Sequence, residues 1–95
     1  MGLPAIEFDW DEANVGHLAR HGVSPEEAEQ AVLNNPLDLG MDVIENEERY
    51  LSLGATRRGR IVVVVTTWRE ERVRVVTAFD AIKRLVQLYY RERGR

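Results

Sequence analysis

The sequence predicts an α+β fold in the order β-α-α-β-β-β-β-α, with an antiparallel sheet packed against helices. Apolar residues recur at helical spacing in three segments, and they alternate or run without interruption in five others. Short polar turns separate the last strands, which favours antiparallel hairpins. The chain has 95 residues without a repeat or a linker, so we expect one domain over residues 1–95.

The N-terminal segment predicts a short strand followed by a helix. Residues 6–10 alternate apolar and acidic side chains, as in a half-buried strand. A helix then begins at Asp9 or Asp11, and the spacing from Asp9 to Glu12 suits a capping box. Gly22 supplies the left-handed residue that ends this helix. The apolar face of the helix comprises Val15, Leu18 and Ala19.

A second helix is predicted from residue 24 onward. Ser24 suits the N-cap, Pro25 the first helical position and Glu27 the third. The sequence "NNP" at residues 34–36 ends the helix. Its apolar face comprises Ala28, Ala31 and Val32.

Strands are predicted in the middle of the chain. Residues 37–45 form a loose edge strand, with Gly40 as a bulge. Residues 48–54 and 73–79 each alternate in the manner of a strand. Residues 61–68 are rich in β-branched side chains and apolar on both faces, so we expect the central strand there.

The C-terminal segment predicts a final helix. Asp80 suits its N-cap, and the helix runs to about Glu92. Apolar residues at i, i+3, i+4 and i+7 make this the clearest helical pattern in the chain. These residues are Ile82, Leu85, Val86 and Tyr89.

The net charge of −3 conceals two halves of opposite sign. Residues 1–50 contain twelve acidic and two basic residues, whereas residues 51–95 contain four acidic and eleven basic residues. The basic half favours a nucleic-acid or acidic partner, unless the two halves neutralise each other in the fold. The sequence leaves both alternatives open.

The composition favours a cytoplasmic protein. There is no cysteine, which excludes disulfides, thiolate nucleophiles and cysteine-based zinc sites. The first residues lack a basic segment followed by an apolar one, so no signal peptide is expected. The longest apolar run, residues 61–65, is too short to cross a bilayer, so we expect no membrane as a partner.

Both histidines, His17 and His21, lie in the first helix, four residues apart, and share a polar stripe with Asn14. Histidines at this spacing can share a metal ion, but no third ligand follows, and we expect neither a metal nor another cofactor. The helix dipole favours the protonated form of His21, which suits an acid or a phosphate contact. The alternative is a structural histidine that hydrogen-bonds the last free carbonyls of the helix.

The same stretch resembles the opening of the BrnT toxin family, and the resemblance extends over nearly the whole chain. The opening pattern is a Trp-Asp pair, a helix that ends in a basic residue plus His-Gly-Val, and then Glu-Glu-Ala. The matching residues are Trp10, Asp11, Arg20, His21, Gly22, Val23, Glu26, Glu27 and Ala28. A Glu-x-Arg-aromatic strand, the last two strands and a late tyrosine also match. These positions are Glu47, Arg49, Tyr50, Gly54, residues 59–69, residues 73–81 and Tyr89.

The resemblance implies a RelE-like fold and a bacterial toxin of a type II toxin–antitoxin system that cleaves RNA and arrests growth. It also implies a ribbon-helix-helix antitoxin that neutralises the toxin. The operator DNA would then be contacted through the antitoxin alone. A homodimer and a heterotetramer with the antitoxin are the assemblies that we consider.

Cleavage of RNA through its 2′-hydroxyl needs a base, an acid and cations for the phosphate, and does not need a metal. The expected catalytic residues are His21, Arg49, Arg69 and Arg74. Aromatic rings that suit stacking on single-stranded RNA are those of Tyr50, Trp68 and Tyr89. Strand alternation does not say whether Arg49 and Arg74 lie on the same side of the sheet, which a joint basic surface requires.

The chain departs from the family pattern at a few positions. Residues 77–79 are Thr-Ala-Phe where the family often has Ser-Ala-Arg, and Leu85 replaces a common glutamate. In the first helix, Asn14 and His17 replace a lysine and an asparagine. Phe79 and Leu85, together with the acidic first half, motivate the alternative hypothesis, a catalytically inactive protein of the same fold that acts as a partner-binding module. A third hypothesis is a metal-dependent enzyme that uses both histidines.

Overall fold

A computed structural model describes residues 5–94 of the chain. The elements follow one another in the predicted order β-α-α-β-β-β-β-α. They are β1 (Phe8–Asp9), α1 (Glu12–Ala19), α2 (Pro25–Leu33), β2 (Leu37–Ile44), β3 (Glu47–Ala55), β4 (Ile61–Arg69), β5 (Arg72–Asp80) and α3 (Lys83–Arg93). No helix within residues 5–94 is both long enough and apolar enough to cross a membrane.

The strands form one five-stranded sheet in the order β1-β5-β4-β3-β2. The three hairpins from β2 to β5 are antiparallel, as predicted. The expectation of a fully antiparallel sheet is wrong, because β1 pairs with β5 in parallel. The physical reason is the long connection after β1: two helices carry the chain across to the far edge, and no tight turn then fixes an antiparallel direction.

Two of the hairpin turns lie at the same end of the sheet. The β2–β3 turn has Glu45 and Asn46 at positive φ, and the β4–β5 turn has Glu70 and Glu71 at positive φ. Two consecutive residues of this kind make the turn that suits the twist of a tight hairpin. We call this end of the sheet the hairpin end. The predicted bulge at Gly40 is confirmed by a register shift between Asp38 and Gly40.

Helices cover the sheet on both faces. On one face α1 and α2 pack against a core of Leu18, Val23, Ala28, Ala31, Val62, Val64, Val75 and Ala78. On the other face α3 covers a core of Leu53, Ile61, Val63 and Tyr89. Because β4 supplies buried residues to both cores, the prediction of a central strand at residues 61–68 is confirmed.

Gly54 sets the distance between α2 and the sheet. A Cβ atom at this position would overlap the carbonyl oxygen of Ala31 in α2. The helix backbone can therefore lie directly on β3 only because residue 54 has no side chain. This contact places α2 over the end of β3 that is remote from the hairpin end.

The ends of α1 and α2 agree in part with the prediction. Ser24 and Glu27 form the expected capping box of α2. The capping box of α1 uses Asp11 and Asn14 instead of the predicted pair at Asp9 and Glu12. The chain is still in β1 at Asp9, so a helix cap there would interrupt the pairing with β5.

The C-terminal end of α1 confirms the role predicted for Gly22. This glycine has a φ of 70°. Its N–H donates to the carbonyl of Ala19 at 3.0 Å, and the N–H of Val23 donates to that of Leu18 at 3.1 Å. These two bonds form the motif that ends a helix with a left-handed residue.

The predicted cap of α3 is wrong. Asp80 is the last residue of β5, and the N-cap of α3 is Ile82, which makes no side-chain cap bond. The carboxylate of Asp80 instead accepts a hydrogen bond from Arg60 at 2.6 Å. Asp80 therefore forms an ion pair with Arg60, the residue before β4, and does not cap α3. Tyr89 is buried as the pattern indicates, whereas Ile82 is exposed.

Candidate functional site

The three predicted catalytic arginines lie on one face of the sheet. Arg74 pairs across the ladder with Thr67, which is two residues along β4 from Val65. Val65 pairs with Leu51, and Leu51 is two residues along β3 from Arg49. Residues two apart on a strand, and residues paired across a ladder, share a face. By the same alternation Arg69 shares this face, which is the one that α3 covers at the opposite end.

Each of these arginines already has a carboxylate partner. Arg49 contacts Glu47 at 3.1 Å, and Arg69 lies 4.0 Å from the same residue. Arg74 contacts Asp11 at 3.0 Å and Asp9 at 3.4 Å. The acidic first half of the chain therefore neutralises part of the basic second half, which was one of the two alternatives left open by the sequence.

Arg74 acts as a link between elements. It is 9% exposed and hydrogen-bonds both carboxylate oxygens of Asp11, the N-cap of α1. The hydrogen bond from Arg74 lowers the pKa of Asp11, and Asp11 in turn raises the pKa of Arg74. A guanidinium bound in this way joins β5 to the start of α1 and has little left to offer a phosphate.

His21 lies far from these arginines, at the other end of the sheet. Its ring centroid is 5.8 Å from that of His17 and 6.0 Å from that of Phe79. Phe79 is five residues along β5 from Arg74, which corresponds to about 15 Å at the rise of a strand. Asp11, which contacts Arg74, gives a second estimate. The ten residues from Asp11 to His21 span about 15 Å of helix, so His21 and Arg74 are again separated by about that distance. The structure does not bring the four predicted catalytic residues together.

The end of α1 does not use His21 as a structural cap. The carbonyls of Leu18 and Ala19 accept hydrogen bonds from backbone N–H groups. Within residues 5–94 the ring of His21 forms no hydrogen bond to these carbonyls, and the residue is exposed. The imidazole is therefore available to a ligand.

Two of the predicted stacking residues lie on the face opposite the arginines. Tyr50 pairs with Thr66, and Thr66 pairs with Val75, a residue of the core below α1 and α2. Trp68 is two residues along β4 from Thr66 and shares that face. The Tyr50 hydroxyl donates to Glu48 at 2.6 Å, which raises the pKa of Tyr50.

The third predicted stacking residue, Tyr89, does not fit an RNA-binding role. It is 7% exposed and belongs to the core between α3 and the sheet. A buried ring has no free face for a base, because its surface is already covered by apolar side chains. The sequence pattern of α3 had indicated this burial, and the structural role follows from it.

Arg60 is a central residue of the His21 region that the sequence did not single out. Its guanidinium donates to Asp80 at 2.6 Å, to Glu27 at 3.2 Å and to the carbonyl of Gly22 at 2.7 Å. A longer bond of 3.4 Å reaches the carbonyl of His21. Arg60 thus fixes the α1–α2 turn against the start of β4 and the end of β5.

The carboxyl groups around Arg60 are held in their charged form. The hydrogen bond from Arg60 lowers the pKa of Asp80. The pKa of Glu27 is also lowered, first by the hydrogen bond that the Ser24 backbone N–H donates to its carboxylate and further by Arg60. Asp80 is the leading cause that raises the pKa of Arg60. The only sequence signal for this network was the basic turn "RRGR" at residues 57–60.

Further cations surround this network. The β3–β4 turn, the α1–α2 turn and the start of α3 come close together there. Arg60 belongs to the first, hydrogen-bonds the Gly22 carbonyl in the second, and pairs with Asp80, three residues before α3. The exposed basic side chains on these segments are Arg20, Arg57, Arg58, Lys83 and Arg84. Among residues 5–94, none of the five lies within 4.0 Å of a carboxylate. We call these five residues, with Arg60, His17 and His21, the basic end.

The basic end has the chemistry that a phosphate ligand requires. Guanidinium groups without a carboxylate partner are suited to phosphate oxygens, and imidazoles are able to accept or donate protons. Phe79, which is 37% exposed, lies beside His21. Arg57 and Arg58 line a shallow cavity together with Ser24 and Glu27. Within the part of the chain that the structure describes, no group of three or more histidine, aspartate or glutamate side chains is arranged to hold a metal ion.

Comparison with protein families gives a match over residues 10–84, to the family described as the ribonuclease toxin BrnT of type II toxin–antitoxin systems. The chain belongs to the BrnT family. The match extends from Trp10 to the start of α3, and it contains both the basic end and the arginine-bearing face. A BrnT toxin has an antitoxin as its partner. A search among curated proteins gives no match to this chain.

Proposed function

We propose that this BrnT-family protein is a toxin that arrests bacterial growth by cleaving RNA, without a metal ion, at the basic end. The observation that carries the proposal is the family match over residues 10–84. The proposal includes the RelE-like fold that the family resemblance implies, one domain over residues 1–95, and action in the cytoplasm.

The chemistry is an internal transfer at phosphorus. The 2′-oxygen of the RNA attacks the adjacent phosphorus and its proton passes to a base. The P–O5′ bond breaks, and the leaving 5′-oxygen takes a proton from an acid. His17 and His21, with ring centroids 5.8 Å apart, supply a base and an acid of suitable spacing. We assign the acid to His21, because it lies at the end of α1, next to the unpaired cations.

The cations of the basic end stabilise the transition state. Negative charge accumulates on the non-bridging phosphate oxygens during the attack, and fixed guanidinium groups lower its energy. Arg20 is adjacent to His21, and Arg57 and Arg58 lie in the β3–β4 turn, which Arg60 joins to the α1–α2 turn. Phe79 offers a ring on which an unpaired base can stack.

The arginines of the hairpin end have a secondary role in this proposal. Arg69 is 51% exposed at its side chain and 4.0 Å from its carboxylate partner, so it can contact a phosphate further along the RNA. Arg49 shares the same partner, Glu47. Loss of either is expected to weaken RNA binding more than the cleavage step. Arg74 contributes to stability.

The partner in the proposal is a ribbon-helix-helix antitoxin that covers the toxin. Operator DNA is bound through the antitoxin. The assemblies in the proposal are a homodimer of the toxin and a heterotetramer with the antitoxin, and in the heterotetramer the toxin stays inactive for as long as the antitoxin persists.

A second candidate function is supported by a specific observation. Phe79, beside His21, stands where the family pattern often has an arginine. Its ring removes one cation from the region where phosphate would bind. A protein of this fold that binds RNA or an antitoxin without cutting RNA is therefore the alternative.

Cleavage of a defined RNA oligonucleotide by the purified protein tests the proposal. The wild-type protein should cut in the presence of EDTA and should not cut at a position with a 2′-deoxy sugar. Replacement of His21 by Ala should slow cleavage by about 100-fold or more, since general acid catalysis contributes that much. Arg91→Ala, on the exposed end of α3, is the matched control and should retain the wild-type rate. Salt-dependent RNA binding without any cut would favour the binding module instead.

A further inference from the structure

An apolar surface lies open on the α1/α2 face of the sheet, at the hairpin end. Met41, Val43 and Trp68 are 52%, 57% and 60% exposed, although a globular protein usually covers residues of this kind. Tyr50 is half-buried beside them. We call these four residues the Trp68 face.

The register of the sheet places the four side chains together. Met41 pairs with Tyr50, and Tyr50 pairs with Thr66, so these residues form one row across three strands. Val43 is two residues along β2 from Met41, and Trp68 is two residues along β4 from Thr66, so both lie in the next row of the same face. Tyr50 and Trp68 also line one shallow cavity.

The α2 helix does not extend over the Trp68 face, and the start of α1 is held at β5 by the contact between Asp11 and Arg74. The α2 backbone lies on β3 at Gly54, four residues along the strand from Tyr50. Trp10 is held to α2 by a hydrogen bond from its indole N–H to Glu29 at 2.7 Å, so it does not turn towards the hairpin end. In the described chain, Met41, Val43 and Trp68 are therefore left more than half exposed.

Acidic side chains surround the Trp68 face. Glu45 and the pair Glu70–Glu71 occupy the two turns at the hairpin end, and Glu48 lies between Val43 and Trp68. Within residues 5–94, none of these four glutamates lies within 4.0 Å of a basic side chain. Their charge opposes an approaching phosphate and attracts a cationic group.

These observations disagree with an RNA-stacking role for Tyr50 and Trp68. A base can stack on the exposed Trp68 ring only if the phosphates on both sides of it approach unpaired carboxylates. The Tyr50 hydroxyl is also already bound to Glu48. A second copy of the chain fits poorly as well, because two Trp68 faces in contact would bring their acidic rims together.

We infer that the Trp68 face is the docking surface for a basic, amphipathic segment of the antitoxin. This inference rests on the proposed function for the identity of the partner. The apolar residues of the segment cover Trp68, Met41 and Val43, while its lysine and arginine side chains pair with the glutamates of the rim. Tryptophan, tyrosine and methionine are residue types that contribute strongly to such interfaces. Because the basic end lies at the other end of the sheet, a bound segment leaves the histidines uncovered, and the rest of the antitoxin must block RNA.

The test measures by calorimetry the affinity of the purified protein for its antitoxin, which is taken to be the product of the gene adjacent to that of this chain. Trp68→Ala should raise the Kd by about 30-fold or more, as loss of a central aromatic contact does. The double variant Glu70→Lys, Glu71→Lys should also weaken binding, and its affinity should depend less on salt than that of the wild type. Leu33→Gln is the matched control, since Leu33 is 57% exposed at the end of α2, away from the Trp68 face. Its Kd should stay within about twofold of the wild type.

The same variants are assayed for RNA cleavage and for oligomeric state. Trp68→Ala should cut RNA at the wild-type rate and escape neutralisation. A further outcome is that the wild type and all variants fail to cut RNA while Trp68→Ala still binds the adjacent gene product more weakly than the wild type does. In that case the docking surface stands and the nuclease proposal fails.

Several results would overturn the inference. The first two concern binding: unchanged affinity in both Trp68→Ala and the double glutamate variant, or a wild-type protein that does not bind the adjacent gene product. The third is a Trp68→Ala variant that loses RNA cleavage but still binds the antitoxin. The fourth is a wild-type dimer that Trp68→Ala converts to a monomer. Circular dichroism of each variant checks that the fold is retained. The charge variant keeps the inference testable if Trp68→Ala does not fold.

Discussion

At the scale of single residues, Asn14 joins three elements with one side chain. Its amide donates to the carbonyls of Asp9 at 2.8 Å and Val75 at 3.1 Å, and its oxygen accepts from the N–H of Asp11 at 2.8 Å. The residue is 3% exposed. The sequence placed Asn14 on the same polar stripe as His17 and His21. Asn14 differs from the two exposed histidines, because a buried amide with three partners is a structural group.

Gly54 is the residue whose replacement we expect to disturb the fold most directly. The Gly54→Ala variant would place a methyl group against the Ala31 backbone, which cannot move without shifting α2. The expected loss is about 2–3 kcal/mol in the free energy of unfolding, as for overpacking of a close contact. Urea denaturation measures it, with Gly16→Ala as the control, because a Cβ at Gly16 in α1 meets nothing within 4 Å. Equal stability of Gly54→Ala and the wild type would contradict the close approach of α2.

Single residues also show where sequence reasoning about the site succeeds and where it ends. The stretch around His21 predicted a histidine at a helix end, because the ending of a helix depends on a few adjacent residues. The pairing of Arg74 with Asp11 was not predictable, since it joins residues 63 positions apart. Arg60 was missed for the same reason: its partners come from three separate segments.

At the scale of elements, the local patterns predicted all three helices and the succession of hairpins. Helical spacing and turn residues act within a few positions, so the sequence carries them directly. The parallel pairing of β1 with β5 and the true start of α3 depend on contacts between distant segments. No local pattern contains that information.

Ion pairs between elements make the fold sensitive to acid. Asp11, Glu27 and Asp80 each have a lowered pKa in the folded protein, whereas unfolding returns Asp to about 3.8 and Glu to about 4.5. A carboxyl with a lowered folded pKa binds fewer protons in the folded state than in the unfolded state. Its contribution is therefore fully present above the unfolded pKa, and it is lost as the pH falls through the folded pKa.

We expect the free energy of unfolding to be nearly constant from pH 7 to about pH 5.5, and to fall steadily below the ordinary pKa values of these carboxyls. Urea denaturation at a series of pH values measures this. In the Arg60→Gln variant, the carboxyls of Asp80 and Glu27 lose a cation that lowers their pKa. This variant should start from a lower stability at pH 7 and lose less on acidification. Identical pH dependence in the variant and the wild type would show that Arg60 does not contribute.

At the scale of the whole molecule, the two ends of the sheet differ in chemistry. Helices cover both faces of the sheet at the end remote from the hairpin end. The basic end lies there, where the α1–α2 turn, the β3–β4 turn and the start of α3 present unpaired cations. At the hairpin end, Val73 and Arg74 are buried beside the start of α1, whereas Met41, Val43 and Trp68 are exposed. One face carries arginines paired with carboxylates, and the other carries the Trp68 face with its acidic rim. The chain thereby separates a surface suited to RNA from a surface suited to a basic protein segment.

The family and the overall charge asymmetry were accessible from the sequence, but their spatial meaning was not. Eleven basic residues in the second half indicated an anionic partner without saying which of them are paired in the fold. The ion pairs of Glu7, Asp9, Asp11, Glu27 and Glu47 neutralise part of that charge. What remains unpaired is concentrated where His21 lies, and this pattern depends on the three-dimensional arrangement.

The most direct measurement is induced expression of this chain alone in a bacterial host, with growth and the integrity of total RNA followed together. We predict prompt growth arrest with loss of RNA. Both effects should disappear in His21→Ala and in the double variant Arg57→Gln, Arg58→Gln, and they should persist in the control Arg91→Ala. Unimpaired growth with intact RNA, in cells that contain the folded wild-type protein, would contradict the assignment of a ribonuclease toxin.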